Sequence, residues 1–251
     1  MVIRSRDNQL VKLIRSLRLH VHREAERAFV VEGYRAVADA IDAGGVARIV
    51  AVRDHQSVPD WITDAQLRIF EAPVFDFMAQ TSTPQGILGV FESPRIPIPV
   101  RPNPLYLVLD AISDPGNLGT IVRTSAAAGV DALFLGPGCV DWLNDKVVRA
   151  AMGAHFRISI SHLDEVSREL IVARCPLRVI SDGYAKANYD EVDWDSGAAL
   201  IVGSEARGVS FDMERLANAS VAIPMSSGVE SLNAAVAAGV ILFEAQRQRR
   251  H

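Results

Sequence analysis

After residue 104 the chain runs through six short apolar segments: YLVLD (106–110), ALFLG (132–136), RISI (157–160), LRVIS (177–181), ALIVG (199–203) and VAIPM (221–225). Segments of helical character separate them. Strands this continuously apolar predict a sheet covered on both faces, and their alternation with helices predicts parallel pairing. An α/β fold follows for 105–251, with its chemistry expected in the loops at strand ends.

A proline-rich seam, SPRIPIPVRPNP (93–104), precedes this region. Five prolines fix φ and remove backbone donors, so the seam forms neither a helix nor a central strand and reads as a linker. Before it, Leu10, Leu13, Ile14 and Leu17 share one helical face, and FVVEGY (29–34) leads from a strand into a helix that reaches about Ala43. RIVAV (48–52), a helix around 73–81 and ILGVF (87–91) complete a small α/β domain over 1–92.

Composition narrows the class. Of the 251 residues, 49% are hydrophobic and 22% charged, which is globular rather than disordered composition. Cys139 and Cys175 are the only cysteines, so a disulfide framework or a zinc cluster is not expected, no metal is expected, and a cytoplasmic location is. No apolar run approaches the ~20 residues of a membrane span, and the N-terminal segment lacks the continuous apolar core of a signal peptide. The net charge of −4 excludes indiscriminate coating of nucleic acid by bulk positive charge.

Three segments carry candidate chemistry. LDAISDPGNLGTIVRTSAAAG (109–129) ends a strand, turns through Asp114 to Asn117 and enters a helix bearing Arg123. LIVGSEARGVS (200–210) opens a strand into Gly203, Ser204, Glu205 and Gly208, glycines that permit close backbone approach. It is neither GxGxxG nor GxxxxGK[ST], so neither a dinucleotide nor a triphosphate loop is indicated. In IPMSSGVESLNAAVAAGVILFEAQRQ (223–248) a strand passes through Ser226, Ser227 and Gly228 to a small-residue helix, with Ser231 as the expected N-cap.

In this order and spacing the segments resemble the three signature motifs of the SpoU (TrmH-like) branch of the SPOUT RNA methyltransferases. Asp114, Pro115, Asn117, Gly119, Arg123 and Thr124 match the first; Gly203, Glu205 and Gly208 the second; Ile223 to Met225 and Ser231 to Asn233 the third. Ser227 stands where the family usually has Gly, and Ala151 where relatives commonly carry Ser; the first departure bears on the cofactor loop. The N-terminal domain is similar to the RNA-binding domain of the rRNA-directed members.

The resemblance implies a SPOUT domain with a deep trefoil knot, a homodimer, and transfer of a methyl group from S-adenosylmethionine to a ribose 2′-hydroxyl, with 23S rRNA as the expected substrate. It implies catalytic roles for Arg123, Asn117, Glu205, Ser231 and Asn233, with Glu205 orienting the Arg123 guanidinium. Cofactor contacts are implied for Gly203, Ser204, Ile223, Met225, Ser231 and Leu232. A tRNA substrate, or a non-catalytic RNA-binding protein on the same fold, are the alternatives.

The acidic total conceals a basic N-terminal segment. Arg4, Arg6, Lys12, Arg15, Arg18 and Arg23 are candidate RNA contacts, and Arg27 and Arg35 add to them against Asp7, Glu24, Glu26 and Glu32. Structured RNA is read through shape and phosphates, for which a local patch suffices.

Overall fold

The computed structural model describes residues 2–63, 65–205, 207–226 and 231–250, so Ser227 and Gly228 lie outside the described residues. The chain forms two compact units: Met1–Pro94 with Asp141–Phe156, and Arg95–Val140 with Arg157–His251.

The first unit contains β1 (Val2–Ile3), α1 (Gln9–Ser16), α2 (His20–Glu26), β2 (Ala28–Glu32), α3 (Tyr34–Asp42), β3 (Ala47–Arg53), β4 (Leu67–Phe70), α4 (Ala72–Met78) and β5 (Ile87–Glu92). Its sheet runs β1-β4-β3-β5-β2, parallel among β1, β4 and β3, with β5 antiparallel to both β3 and β2. Side chains alternate across it. Ala28 and Val30 pack with Val11 and Ile14 of α1 and Val74, Phe75 and Met78 of α4, whereas Phe29 and Val31 pack with Ala36, Val37 and Ala40 of α3. Helix α4 stops at Met78, short of the expected 81. Ala79 is extended, and the buried Glu32 carboxylate accepts the Gln80 amide at 2.6 Å.

The second unit contains β6 (Leu105–Leu109), α5 (Pro115–Ala127) and β7 (Ala132–Leu135). The chain then leaves it: α6 (Asp145–Ala151) and a 3₁₀ turn, Ala154–Phe156, belong to the first unit. There Leu143 and Val148 join the core beside Phe29 and Val37, and Ala151 is buried. The second unit resumes with β8 (Ser159–His162), α7 (Glu165–Arg174), β9 (Leu177–Ser181), β10 (Ala187–Asn188), β11 (Ala198–Val202), α8 (Phe211–Leu216), β12 (Ala219–Ala222) and α9 (Ala234–Gln248).

Its seven strands are all parallel, in the order β10-β12-β9-β11-β6-β7-β8. Tyr106, Val108, Ala199 and Ile201 pack with Ile171 and Cys175 from the α7 region and Met213 and Leu216 of α8. Leu105, Leu107 and Leu200 are equally buried on the opposite face, so the sheet is covered on both sides. Strand β12 stops at Ala222, not at 225, because Pro224 has no N–H to extend a ladder.

Two residues in the first unit depart from a surface role. Arg23 is 5% exposed, and its guanidinium is committed to the Leu17 and Arg18 carbonyls (2.8 Å each) and to Asp141. It is therefore withdrawn from the cations available to RNA. Burial alone would raise the Asp141 carboxyl, but the Arg23 hydrogen bond and the Leu143 amide hold it below the usual carboxylate range.

His155 is buried against the Trp142 ring, and its Nε2–H donates to the Trp142 carbonyl at 2.7 Å. Burial lowers its pKa to about 4. A depressed histidine contributes no penalty above its unfolded pKa of about 6.5. As pH falls from there the unfolded chain takes up a proton that the folded one refuses, so stability declines until about pH 4. The loss should total about 3 kcal/mol across that window. Urea midpoints at pH 7.5 and 4.5 measure it, and His155→Gln should flatten the difference.

Candidate active site

The two halves of the seven-stranded sheet diverge between β6 and β11. From β6 the chain steps outward through β7 and β8, and β9, β10 and β12 occupy the other side. Strands at such a switch point open a crevice at their carboxyl ends. All three chemistry-bearing segments leave carboxyl ends of this sheet, after β6, β11 and β12.

The first turns sharply. Ala111 has φ +57, and Asp114 caps α5 by accepting the Asn117 amide at 2.7 Å, with Pro115 in the first turn. This fixes Asn117 in the first turn of α5, while Arg123 stands exposed further along it.

The second is a tight loop closed by two bonds, Ser204 N to Gly208 O at 3.1 Å and Gly208 N to Ser204 O at 2.9 Å. A Cβ on Gly203 would lie 2.1 Å from the Gly208 carbonyl oxygen, and Gly208 has φ +65. The close approach requires glycine at 203, and the positive φ favours it at 208. The loop presents Glu205, whose Oε1 accepts from Asn117 Nδ2 at 2.9 Å, Asn233 Nδ2 at 3.0 Å and the Ala234 amide at 3.0 Å. Asn233 Nδ2 also donates to Asn117 Oδ1 at 2.9 Å.

The third segment supplies that asparagine. Asn233, not Ser231, is the N-cap of α9, its Oδ1 accepting from the Ala235 and Val236 amides at 3.0 and 3.3 Å. Ser231 is exposed two residues before it. The Glu205 carboxylate thus sits at the start of a fifteen-residue helix, where the dipole favours negative charge. The expected Glu205–Arg123 pair is not formed; among the described residues no carboxylate is in ion-pair contact with Arg123. Glu205 instead ties the three segments together, and the guanidinium is left for something else.

Three further residues carry the expected cofactor contacts. Ile223, Met225 and Leu232 are half-buried, and their N–H and C=O groups take no hydrogen bond from another described residue. Half-buried apolar side chains whose backbone groups have no partner among the described residues suit a ligand with a flat heterocycle and a polar edge. That chemistry fits S-adenosylmethionine. Gly203 and Ser204 open the loop that carries Glu205. Among the described residues no cluster of His, Cys, Asp and Glu is arranged to hold a metal ion, and no helix is long and apolar enough to cross a membrane.

Asp110 was not singled out by sequence. It is buried at the end of β6, and its Oδ2 accepts the Ser210 amide at 2.6 Å, tying the end of the Glu205 loop to the first segment. A lone acid closing an otherwise apolar strand is the signal that marks it.

A parallel α/β enzyme with its ligand site at the switch point is the class that this geometry defines. The chain belongs to the SpoU rRNA methylase family, whose model matches residues 104–243. Residues 8–89 match the MRM3-like substrate binding domain. The 23S rRNA (guanosine(2553)-2′-O)-methyltransferase RlmP of Bacillus subtilis is 33% identical over 96% of this chain and 97% of its own length. The mitochondrial rRNA methyltransferase 3A of Danio rerio is 33% identical over 96% of this chain and 69% of its own. Among solved structures, the AdoMet-bound rRNA methyltransferase of Sinorhizobium meliloti superposes with a TM-score of 0.85 at 30% identity, covering 98% of this chain and 97% of that one. The SpoU methyltransferase AviRb of Streptomyces viridochromogenes, in complex with AdoMet, gives 0.87 at 25%, covering 96% and 98%.

Proposed function

We propose that the protein methylates a ribose 2′-hydroxyl of 23S rRNA, with S-adenosylmethionine as the donor. The observation that carries this reading is the Asn117–Glu205–Asn233 network, which draws the three signature segments into one site at the sheet's switch point. The resident cofactor, when bound, brings an electrophilic methyl group on a sulfonium sulfur. Backbone groups of Ile223, Met225 and Leu232 would hold it, together with Gly203, Ser204 and Ser231.

The remaining task is to align a weak oxygen nucleophile and manage its proton. A guanidinium is a poor base and a good phosphate fork, and Arg123 supplies one. In our reading it organises the charge of the ribose-phosphate unit while a phosphate oxygen accepts the hydroxyl proton. Asn117, Glu205 and Asn233 keep α5 and the α9 terminus in register so that Arg123 and Ser231 meet the substrate.

Residues 1–92 serve as the RNA-binding domain, to which Asp141–Phe156 return, and the rest of 105–251 as the knotted methyltransferase domain, with 93–104 as the linker. Helix α9 leaves Val236 and Phe243 about half exposed, which supports a homodimer built on it. Free thiols at Cys139 and Cys175 support a cytoplasmic setting.

The test is incorporation of labelled methyl from S-adenosylmethionine into total RNA, followed by mapping of ribose methylation. Label in one large-subunit rRNA nucleotide is the expected result. Label confined to tRNA would move the substrate. Cofactor binding without transfer to any RNA would make the protein a binding module.

A further inference from the structure

The six basic residues of the N-terminal segment are not equivalent. Arg23 is buried on Asp141. Arg18 is used internally, donating from Nη2 to the Met78 and Ala79 carbonyls at 3.2 and 2.6 Å, where it closes the end of α4. Lys12 is paired with Asp7 at 3.4 Å. Arg6 and Arg15 are different, because both place their guanidinium carbons over one aromatic ring, that of Phe77, at 4.6 and 3.9 Å from its centroid.

This arrangement concentrates charge. The two cations are no farther apart than those two distances laid end to end. Among the described residues no carboxylate pairs with either. The nearby acids are committed, Asp7 to Lys12 and Asp76, beside Phe77, to Arg53 at 3.1 Å. Arg4, exposed and likewise without an ion pair among the described residues, lies two positions before Arg6. A ring face attracts guanidinium and limits its rotamers, so the ordering cost of gripping an anion is met in advance. Phe77 itself is held by the core formed with Phe75 and Met78, which makes the platform rigid.

We propose that Arg6 and Arg15, held over the Phe77 ring, form a phosphate grip for the backbone of the RNA substrate, with Arg4 at its margin. The inference rests on the RNA-methyltransferase reading and adds to it a specific contact and a non-basic residue, Phe77. Planar guanidinium forks match phosphate oxygens bidentately, and two of them suit neighbouring phosphates of one strand. Such contacts position an RNA without reading its sequence.

Filter binding of the full chain to an in vitro transcribed 23S rRNA, over a range of salt concentrations, tests this. Each lost phosphate contact should lower the slope of log K against log salt by about 0.7 to 0.9. The double variant Arg6→Ala/Arg15→Ala should therefore lose one to two units of slope and bind about 10- to 100-fold more weakly at moderate salt. Phe77→Leu keeps every charge, so its slope should stay near wild type while affinity falls about two- to fivefold. Phe77→Tyr restores the ring face and should restore affinity, which separates the grip from a packing defect, as does an unchanged melting temperature. A double variant with wild-type slope and affinity overturns the proposal, as does competition by polyglutamate equal to that by poly(U), which would make the patch a general anion surface. Methyl incorporation by the wild type on the same transcript reports separately on the underlying reading: normal transfer with an unaltered double variant sinks the grip alone.

Discussion

Arg123→Ala should lower methyl transfer by about 10²- to 10³-fold while leaving S-adenosylmethionine affinity within twofold of wild type. The magnitude is that of removing one preorganised charged donor from a site where charge develops. The separation of effects follows from position. Arg123 is exposed on α5 and takes no part in the Glu205 network, and it is not among the residues proposed to hold the cofactor. Its substitution should therefore disturb neither cofactor contacts nor the fold. Arg123→Lys is the sharper variant, because lysine keeps the charge and loses the planar fork. Intermediate turnover is expected for it, measured as kcat with saturating cofactor, and titration calorimetry supplies the binding constant. Wild-type turnover in either variant would remove Arg123 from the chemistry.

Gly203→Ala should be as damaging for a different reason. The added Cβ would meet the Gly208 carbonyl oxygen at 2.1 Å, its carbon at 2.3 Å and the Val209 nitrogen at 2.6 Å. These are backbone atoms, so no side chain can swing aside. The Ser204–Gly208 closure must open, and Glu205 then leaves the three donors it now satisfies. Strain of about 3 kcal/mol is expected from overpacking of this kind. Cofactor affinity should fall at least 100-fold if, as proposed, Gly203 and Ser204 contact the cofactor. Gly208→Ala is the control, because nothing lies within 4 Å of a Cβ there and only the φ of +65 is unfavourable. That costs about 1 to 2 kcal/mol. Equal losses in the two variants, by urea denaturation and calorimetry, would show that the close approach is not what the loop depends on.

The larger sheet was legible because its central strands β6, β7 and β11 are wholly apolar, and LRVIS at 177–181 coincides with β9 residue for residue. Strands β1 and β10 have two residues each, too few for any period to register. Helix α2 was hidden because HVHREAE carries little apolar signal. The residues of the site were visible through motif spacing, but their partners were not. Spacing along the chain cannot say that a carboxylate after β11 will reach the first turn of α9 rather than a guanidinium on α5. Ser231 and Asn233 are both good caps, and the choice between them depends on where the incoming loop delivers the chain. Arg23 shows the same limit in the other domain, since a buried arginine and a surface one look identical until Asp141 is brought beside it.

The excursion of Asp141–Phe156 into the first unit has a consequence for the order of synthesis. The N-terminal unit precedes the proline-rich seam in sequence, yet Leu143, Val148 and the Asp141 partner of Arg23 arrive much later. A nascent chain that has passed the seam still has an unfinished core and an unneutralised buried arginine. Completion waits until residue 156 has left the ribosome, when β6, α5 and β7 have already been made. The halves are distinct in their work but interleaved in sequence, so the N-terminal one cannot be completed before part of the other has been made.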